Sequence, residues 1–294
     1  MSIKNQKYKG VLFIICSAFC FAVMNACVKL SGDLPSIQKS FFRNFIALLI
    51  AGTICLKDRR QIQIPKGSLR WLILRASLGT IGILCNYYAL DRLVLSDASM
   101  LNKMSPFFTI LFSWILLKEQ LRPAQGGAVL LAFIGSLFII KPNLDFSDFG
   151  SSLIGLTGGI AAGCAYSIVR ILGQKGVNKN FIVLFFSGFS CLVTLPFLIL
   201  DFHAMTIQQI LILILAGIAA AGGQFSITAA YCYAPAKEIS VYDYSQILFA
   251  TGLGFLLFRE VPDKYSFLGY GIIIFAAISM FWYNNYYLPK KEKN

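Results

Sequence analysis

Ten uninterrupted apolar runs, each of about 20 residues, divide the chain, and a run of that length coiled as an α-helix matches the hydrocarbon thickness of a bilayer. They fall near residues 10–30, 35–56, 69–90, 96–117, 123–140, 151–172, 179–200, 207–231, 237–258 and 266–286. Runs this long and continuous predict helices, which satisfy their own backbone hydrogen bonds in lipid, rather than the short alternating strands of a barrel. Composition agrees, since 57% apolar and 13% charged residues over 294 positions exclude a soluble domain. The expectation is an all-α integral membrane protein with ten transmembrane helices and no appended soluble domain. The first run is too long for a signal peptide and lacks a small-residue cleavage site after it, so it is expected to remain as a membrane helix.

The sequence also repeats at an offset of 141 residues. Glu119 matches Glu260, Lys29 matches Arg170, Asn25 matches Tyr166 and Gly82 matches Gly223. Between 89–119 and 230–260 the identical pairs are Ala89/Ala230, Ser99/Ser240, Phe108/Phe249, Leu116/Leu257 and Glu119/Glu260. Asn102, Ser105, Thr109 and Ser113 form one helical stripe, and the offset carries it onto Asp243, Gln246, Ala250 and Gly254. Two halves, 1–147 and 148–294, each with five spans, are therefore expected. An odd number of crossings per half inserts the second half upside down, giving two inverted five-helix repeats around a central cavity. Chance matching between two hydrophobic sequences is the alternative, and the coincident span boundaries weigh against it.

The net charge of +13 is distributed unevenly. Sixteen basic residues lie at one set of alternate span ends (Lys4, Lys7, Lys9, Lys57, Arg59, Arg60, Lys66, Arg70, Lys118, Arg122, Lys175, Lys179, Lys237, Lys290, Lys291 and Lys293). Six lie at the other set: Lys29, Lys39, Arg92, Lys141, Arg259 and Lys264. By the positive-inside rule both termini are cytoplasmic, in a multi-pass protein of the cell membrane that meets anionic lipid at its cytoplasmic face. No basic face with interleaved aromatics suggests nucleic acid as a partner. The eight cysteines fall in or at the ends of apolar runs, no CxxC occurs, and the sole histidine, His203, lies in a short loop, so neither a metal site nor a cofactor is expected.

Polar residues within the spans carry the functional signal, because each ionisable group there is costly unless paired or hydrated. Arg43 and Lys103 lie eight and seven residues into their spans, and a rise of about 1.5 Å per residue puts both roughly 10 to 12 Å deep from one face. Asp243 enters from the opposite face, and the same arithmetic leaves roughly 10 Å of depth between it and the cations. A chamber cationic at one level and acidic at another suits a zwitterionic metabolite, although Asp243 paired directly with Lys103 or Arg43 is the structural alternative. Asp243 is also a candidate proton-coupling group. Asn86 and Gln224 stand on stripes with Gly79, Gly82 and with Gly217, Ala221, serving either the solute or interhelical bonding. Asn102, Gln246, Tyr166 and Tyr242 complete the candidate binding set, with Tyr88 and Trp114 weaker. Tyr233, Tyr283, Tyr286 and Tyr287 read as interfacial anchors. Pro106 and Pro196 predict kinks. Gly155, Gly159 and Gly163 form a close-packing face that is either static or a sliding surface.

The stretches YYALDRLVLSDASMLNKMSPFFTILFSWILLKEQL and AKEISVYDYSQILFATGLGFLLFREVPD, set in two five-span halves, resemble an EamA-type member of the drug/metabolite transporter superfamily. The resemblance covers nearly the whole chain and implies secondary transport of a small organic solute. The expected function is alternating-access transport of a zwitterionic amino acid or derivative. A nucleoside- or cofactor-type solute is an alternative, as is an intramembrane enzyme acting on a lipid-linked substrate. No nucleophile with a base, metal cluster or acid pair supports the enzyme, so no catalytic residue is assigned. No selectivity ring supports a passive channel.

Overall fold

The computed structural model describes residues 3–57, 64–92, 101–120, 122–140, 149–259, 264–283 and 287. Glu260, Ser99, Tyr286, the boundary at 147/148 and several orientation-setting cations (Arg59, Arg60, Lys141, Lys290, Lys291 and Lys293) lie outside them. The first half holds α1 (Ile3–Leu30), α2 (Ser36–Lys57), α3 (Leu69–Arg92), α4 (Ser105–Leu117) and α5 (Pro123–Ile140). The second holds α6 (Phe149–Gln174), α7 (Lys179–Leu200), α8 (Ile207–Tyr233), α9 (Ser245–Phe258) and α10 (Lys264–Trp282). No strand occurs among the described residues. Among the described residues, eight helical segments are long and apolar enough to cross a bilayer, while α4 and α5 are shorter apolar helices.

Helix ends follow local chemistry. The Asn178 side chain accepts from the Asn180 N–H to start α7, and Thr206 with Gln209 makes a reciprocal capping box at α8. Pro106 marks more than a kink. Regular α-helical hydrogen bonding is interrupted at Lys103–Met104, a turn in which Met104 keeps right-handed dihedrals, and resumes as α4 with the proline in its first turn, where its missing N–H has no helical partner to lose. The corresponding place in the second half is a 3₁₀ stretch, Ser240–Tyr244, entered from a helical turn at Ala236–Ile239. By contrast, α7 runs on through Pro196, which lies on its exposed side. Helices α4 and α9 end alike, at Lys118 (φ 54°) and Arg259 (φ 56°), the described non-glycine residues with positive φ. They stand at the 141-residue offset, and a left-handed residue without glycine is costly enough that its recurrence marks a shared local design.

Packing follows the same correspondence. Helix α1 packs on α8 as α6 packs on α3, α4 meets α6 as α9 meets α1, and α2 meets α8 as α7 meets α3. The pairs α2 with α7 and α5 with α10 map onto themselves. Each helix thus finds its main neighbours in the other half, and the halves interlock instead of forming separate bundles. One contact shows the pairing in detail. A Cβ at Gly82 would meet the Ala162 backbone at 3.3 Å, and one at the matching Gly223 would meet the ring of Phe21, the counterpart of Ala162, at 2.6 Å.

Polarity is inverted relative to a soluble protein. Gln38, Arg43, Arg75, Lys103, Gln224 and Asp243 are buried, whereas Leu12, Leu192, Ile199, Leu256 and Phe275 are exposed on the outer surface. Water would penalise that surface and lipid does not.

Candidate functional site

Between the halves lies an inner chamber of about 130 Å³ lined by Arg43, Arg75, Lys103 and Asp243, which with Glu238 at the closed end are the buried charged side chains among the described residues. Helix α2 contributes Arg43, α3 contributes Arg75, Gly79 and Asn86, and the break before α4 contributes Asn102 and Lys103. From the second half come Tyr166, Gln224, Asp243 and Gln246. The chamber continues into a vestibule of about 580 Å³, with Asn25, Asn86, Asn102, Lys103 and Gln246 on the walls of both. The vestibule is bounded by Lys29, Gly32, Asp33 and Lys39 around the α1–α2 connection and by Ala250, Thr251 and Gly254 along α9.

The opposite end, where α1 begins, is tied shut. Glu119 in the α4–α5 connection lies 3.5 Å from Arg170 Nε, and Arg170 Nη1 also donates to the Cys232 carbonyl at 2.9 Å. Lys7 pairs with Glu238 at 3.1 Å, and Lys237 donates to the Gln120 carbonyl at 2.7 Å. Lys179 reaches the Tyr233 hydroxyl at 3.3 Å while that ring stacks on Phe13. Burial pushes the Glu119 carboxyl above its ordinary range, with Arg170 and Lys237 opposing the shift.

At the centre, Lys103 Nζ is 3.3 Å from Asp243 Oδ2 and donates to Gln246 Oε1 at 2.8 Å. The direct pair, the structural alternative, is thus present; the depth counted from helical rise is a backbone quantity that side chains of this length can span. The chain departs from regular α-helix beside both residues, at Lys103–Met104 and over Ser240–Tyr244. The Tyr244 hydroxyl, at the counterpart position of Lys103 itself, donates to the Lys103 carbonyl at 3.0 Å. That bond satisfies backbone exposed at the break.

Of the nine candidate binding residues, the chamber unites Arg43, Asn86, Asn102, Lys103, Tyr166, Gln224, Asp243 and Gln246. Tyr242 does not join them. It is buried in the apolar core, because the 3₁₀ turn directs consecutive side chains to different sides and gives the cavity to Asp243. Tyr88 and Trp114 are exposed on the outer surface. The two polar stripes have unlike fates. Thr109 and Ser113 are fully packed, and the Ser167 hydroxyl on α6 donates to the Thr109 carbonyl at 2.8 Å, whereas their counterparts Ala250 and Gly254 line the vestibule.

Arg75 is the site residue that sequence reasoning missed. It is 3% exposed, its guanidinium carbon lies 4.3 Å from the centre of the Phe186 ring, and its Nη2 reaches Gln224 Oε1 at 3.5 Å. Gly79 makes this possible, since a Cβ there would strike both Arg75 Nη1 and Phe186. The signal was present: extending the stripe of Asn86, Gly82 and Gly79 by one more helical step of four arrives at Arg75.

A lipid-facing helical shell around a charged chamber open at one end defines a membrane transport protein. The chain belongs to the EamA-like transporter family, whose model matches residues 8–141 and 153–282. It is 32% identical over 274 residues to the pseudopaline exporter CntI of Pseudomonas aeruginosa, covering 92% of this chain and 95% of that one. The riboflavin transporter of Vibrio cholerae is 27% identical, with 94% of each chain covered. Human solute carrier family 35 member G1 is 26% identical over 87% of this chain and 74% of its own. A solved crystal structure with 15% identity superposes with a TM-score of 0.82 over 93% of this chain and 96% of the other, which shows the shared fold.

Proposed function

We propose that the protein is a secondary transporter of a small zwitterionic solute, an amino acid or derivative, working by alternating access across the cytoplasmic membrane. In this reading the chain makes ten crossings in two inverted five-helix repeats, residues 1–147 and 148–294, with both termini cytoplasmic. The unequal fate of matched residues carries the proposal: Thr109 and Ser113 are buried, with the Thr109 carbonyl bonded to α6, while exposed Ala250 and the buried Gly254 beside it line the vestibule. Alternating access requires that two matched gates never stand open together, and one closed beside one open meets that requirement. The bonded ends support ten crossings. Gln38 and the His203 backbone exchange hydrogen bonds of 2.8 and 3.0 Å at one end, and Glu119 meets Arg170 at the other, so the connections alternate between ends. Exporter and transporter among the relatives' names support movement of small solutes.

Within the chamber, Asp243 offers its carboxylate to a solute amine in exchange for Lys103, and the cations take the solute's acid group. Asp243 also serves as the proton-coupling group. Purified protein in liposomes should accumulate the solute against its gradient and return it chemically unchanged. Facilitated equilibration without accumulation would indicate a channel, and a converted product would indicate an enzyme. Asp243→Asn should remove the pH dependence of uptake, and a variant that keeps it would eliminate Asp243 from coupling.

A further inference from the structure

The inner chamber contains more positive charge than its own acid can balance. Asp243 is engaged by Lys103, at 3.3 Å, leaving Arg43 and Arg75 to be accounted for. Both guanidinium-bearing residues are more than nine-tenths buried, at 6% and 3% exposed, and both line the same small chamber. The Nε atom of each is fully buried without a hydrogen-bond partner. What surrounds them is chiefly aromatic: Phe21 lies 6.0 Å from the Arg43 guanidinium carbon, and Phe186 and Tyr166 lie 4.3 and 6.0 Å from that of Arg75. Ring faces offset part of a cation's desolvation but accept no fork of hydrogen bonds, and Gln224 supplies Arg75 with one long contact at 3.5 Å. Two like charges in one small chamber also repel each other. Such an arrangement is costly when empty of anions and is relieved by a ligand that brings them.

We infer that Arg43 and Arg75 form a paired oxyanion site, so that the solute carries at least two acidic groups, carboxylate or phosphate, and enters with net negative charge. The inference rests on the transport reading above and narrows its substrate class from a simple zwitterion to an acidic one. Each guanidinium presents a planar fork that matches a carboxylate or phosphate edge. A solute with a single carboxylate brings one negative charge to two buried cations and leaves the other charge uncompensated. Chloride or water filling the chamber would also reduce the cost, but neither offers two linked acceptors with fixed spacing.

The test begins with the unaltered protein, purified and placed in buffers of matched ionic strength containing glycine, glutamate, phosphoserine, citrate or chloride. Thermal stabilisation should be small for glycine and chloride and larger for the probes with two or more acid groups. Glutamate against phosphoserine distinguishes a carboxylate from a phosphate source, and preference for either supports the pair. Arg43→Gln and Arg75→Gln should each weaken the acidic probe by about tenfold or more in apparent Kd, while glycine changes little. Arg75→Lys should retain part of the effect. Glycine or chloride stabilising as well as glutamate, phosphoserine and citrate would overturn the inference, even if neither glutamine variant folds. Flux of the best probe in liposomes separates the two claims. Acidic binding without flux would sink the transport reading and leave the arginine site standing, whereas flux of glycine equal to that of the acidic probes would do the reverse.

Discussion

At the scale of single residues, the bundle's centre is organised by charges that lipid would reject. Lys103 and Asp243 neutralise each other with Gln246 as a third partner, and each is under one-tenth exposed. Removing one member leaves the other uncompensated, so Lys103→Met or Asp243→Asn should each destabilise the fold by about 3 to 5 kcal/mol. The double variant should recover part of that loss, which a double-mutant cycle on thermal unfolding in detergent would measure. Glu119, at the closed end, makes a pH-dependent contribution. Its carboxyl is raised above its ordinary value by burial, so what it adds to stability is fully present below the ordinary Glu range and is lost as pH rises through the raised value. Glu119→Gln should flatten that fall in a melting-temperature profile against pH. Most of these residues were legible as isolated polar positions in apolar runs. Arg75 was not, because its neighbours Leu74 and Ala76 and its place near a span end make it look like the interfacial Arg70.

At the scale of helices, glycine decides which elements touch. The face of Gly155, Gly159 and Gly163 on α6 lies against the chain from Leu101 to Thr109, the stretch that carries Lys103. A Cβ at Gly159 would stand 2.6 Å from the Leu101 carbonyl oxygen, and one at Gly163 would stand 2.8 Å from the Ser105 carbonyl oxygen and the Thr109 nitrogen. Backbone cannot move aside as a side chain can, so Gly159→Ala and Gly163→Ala should each cost about 1 to 3 kcal/mol, read as a lowered melting temperature. The control is Gly252→Ala on α9, where a Cβ would meet nothing within 4 Å, and little change is expected. The apolar runs predicted the helices within a few residues at most ends, because burial in lipid depends on length and hydropathy alone. They did not reveal that the chain breaks at Lys103–Met104 and tightens over Ser240–Tyr244. Counting residues along an ideal helix does not carry depth across such breaks.

At the scale of the whole molecule, access differs between the two ends. In a cysteine-free background, Ala250→Cys, at an exposed position on the vestibule wall, should react with a membrane-impermeant maleimide much faster than the matched, buried Thr109→Cys, and a ligand that drives the opposite state should reverse the order. Equal rates for matched positions would remove the one-sided vestibule. The sequence by itself determined the class of molecule, because a bilayer imposes a simple solvent criterion on length and composition. It also held a correspondence between residues 141 apart, seen in matching helix contacts and in the left-handed endings at Lys118 and Arg259, even where matched side chains differ in surroundings. Tertiary structure alone decided which charges meet. Whether Asp243 faces Lys103 or a solute, whether Tyr242 reaches the cavity, and whether Arg75 lies at a surface or under Phe186 all depend on contacts between helices remote in the chain. Periodicity fixes the face of a helix on which a residue stands, but the neighbour across that face is set by how ten helices pack together.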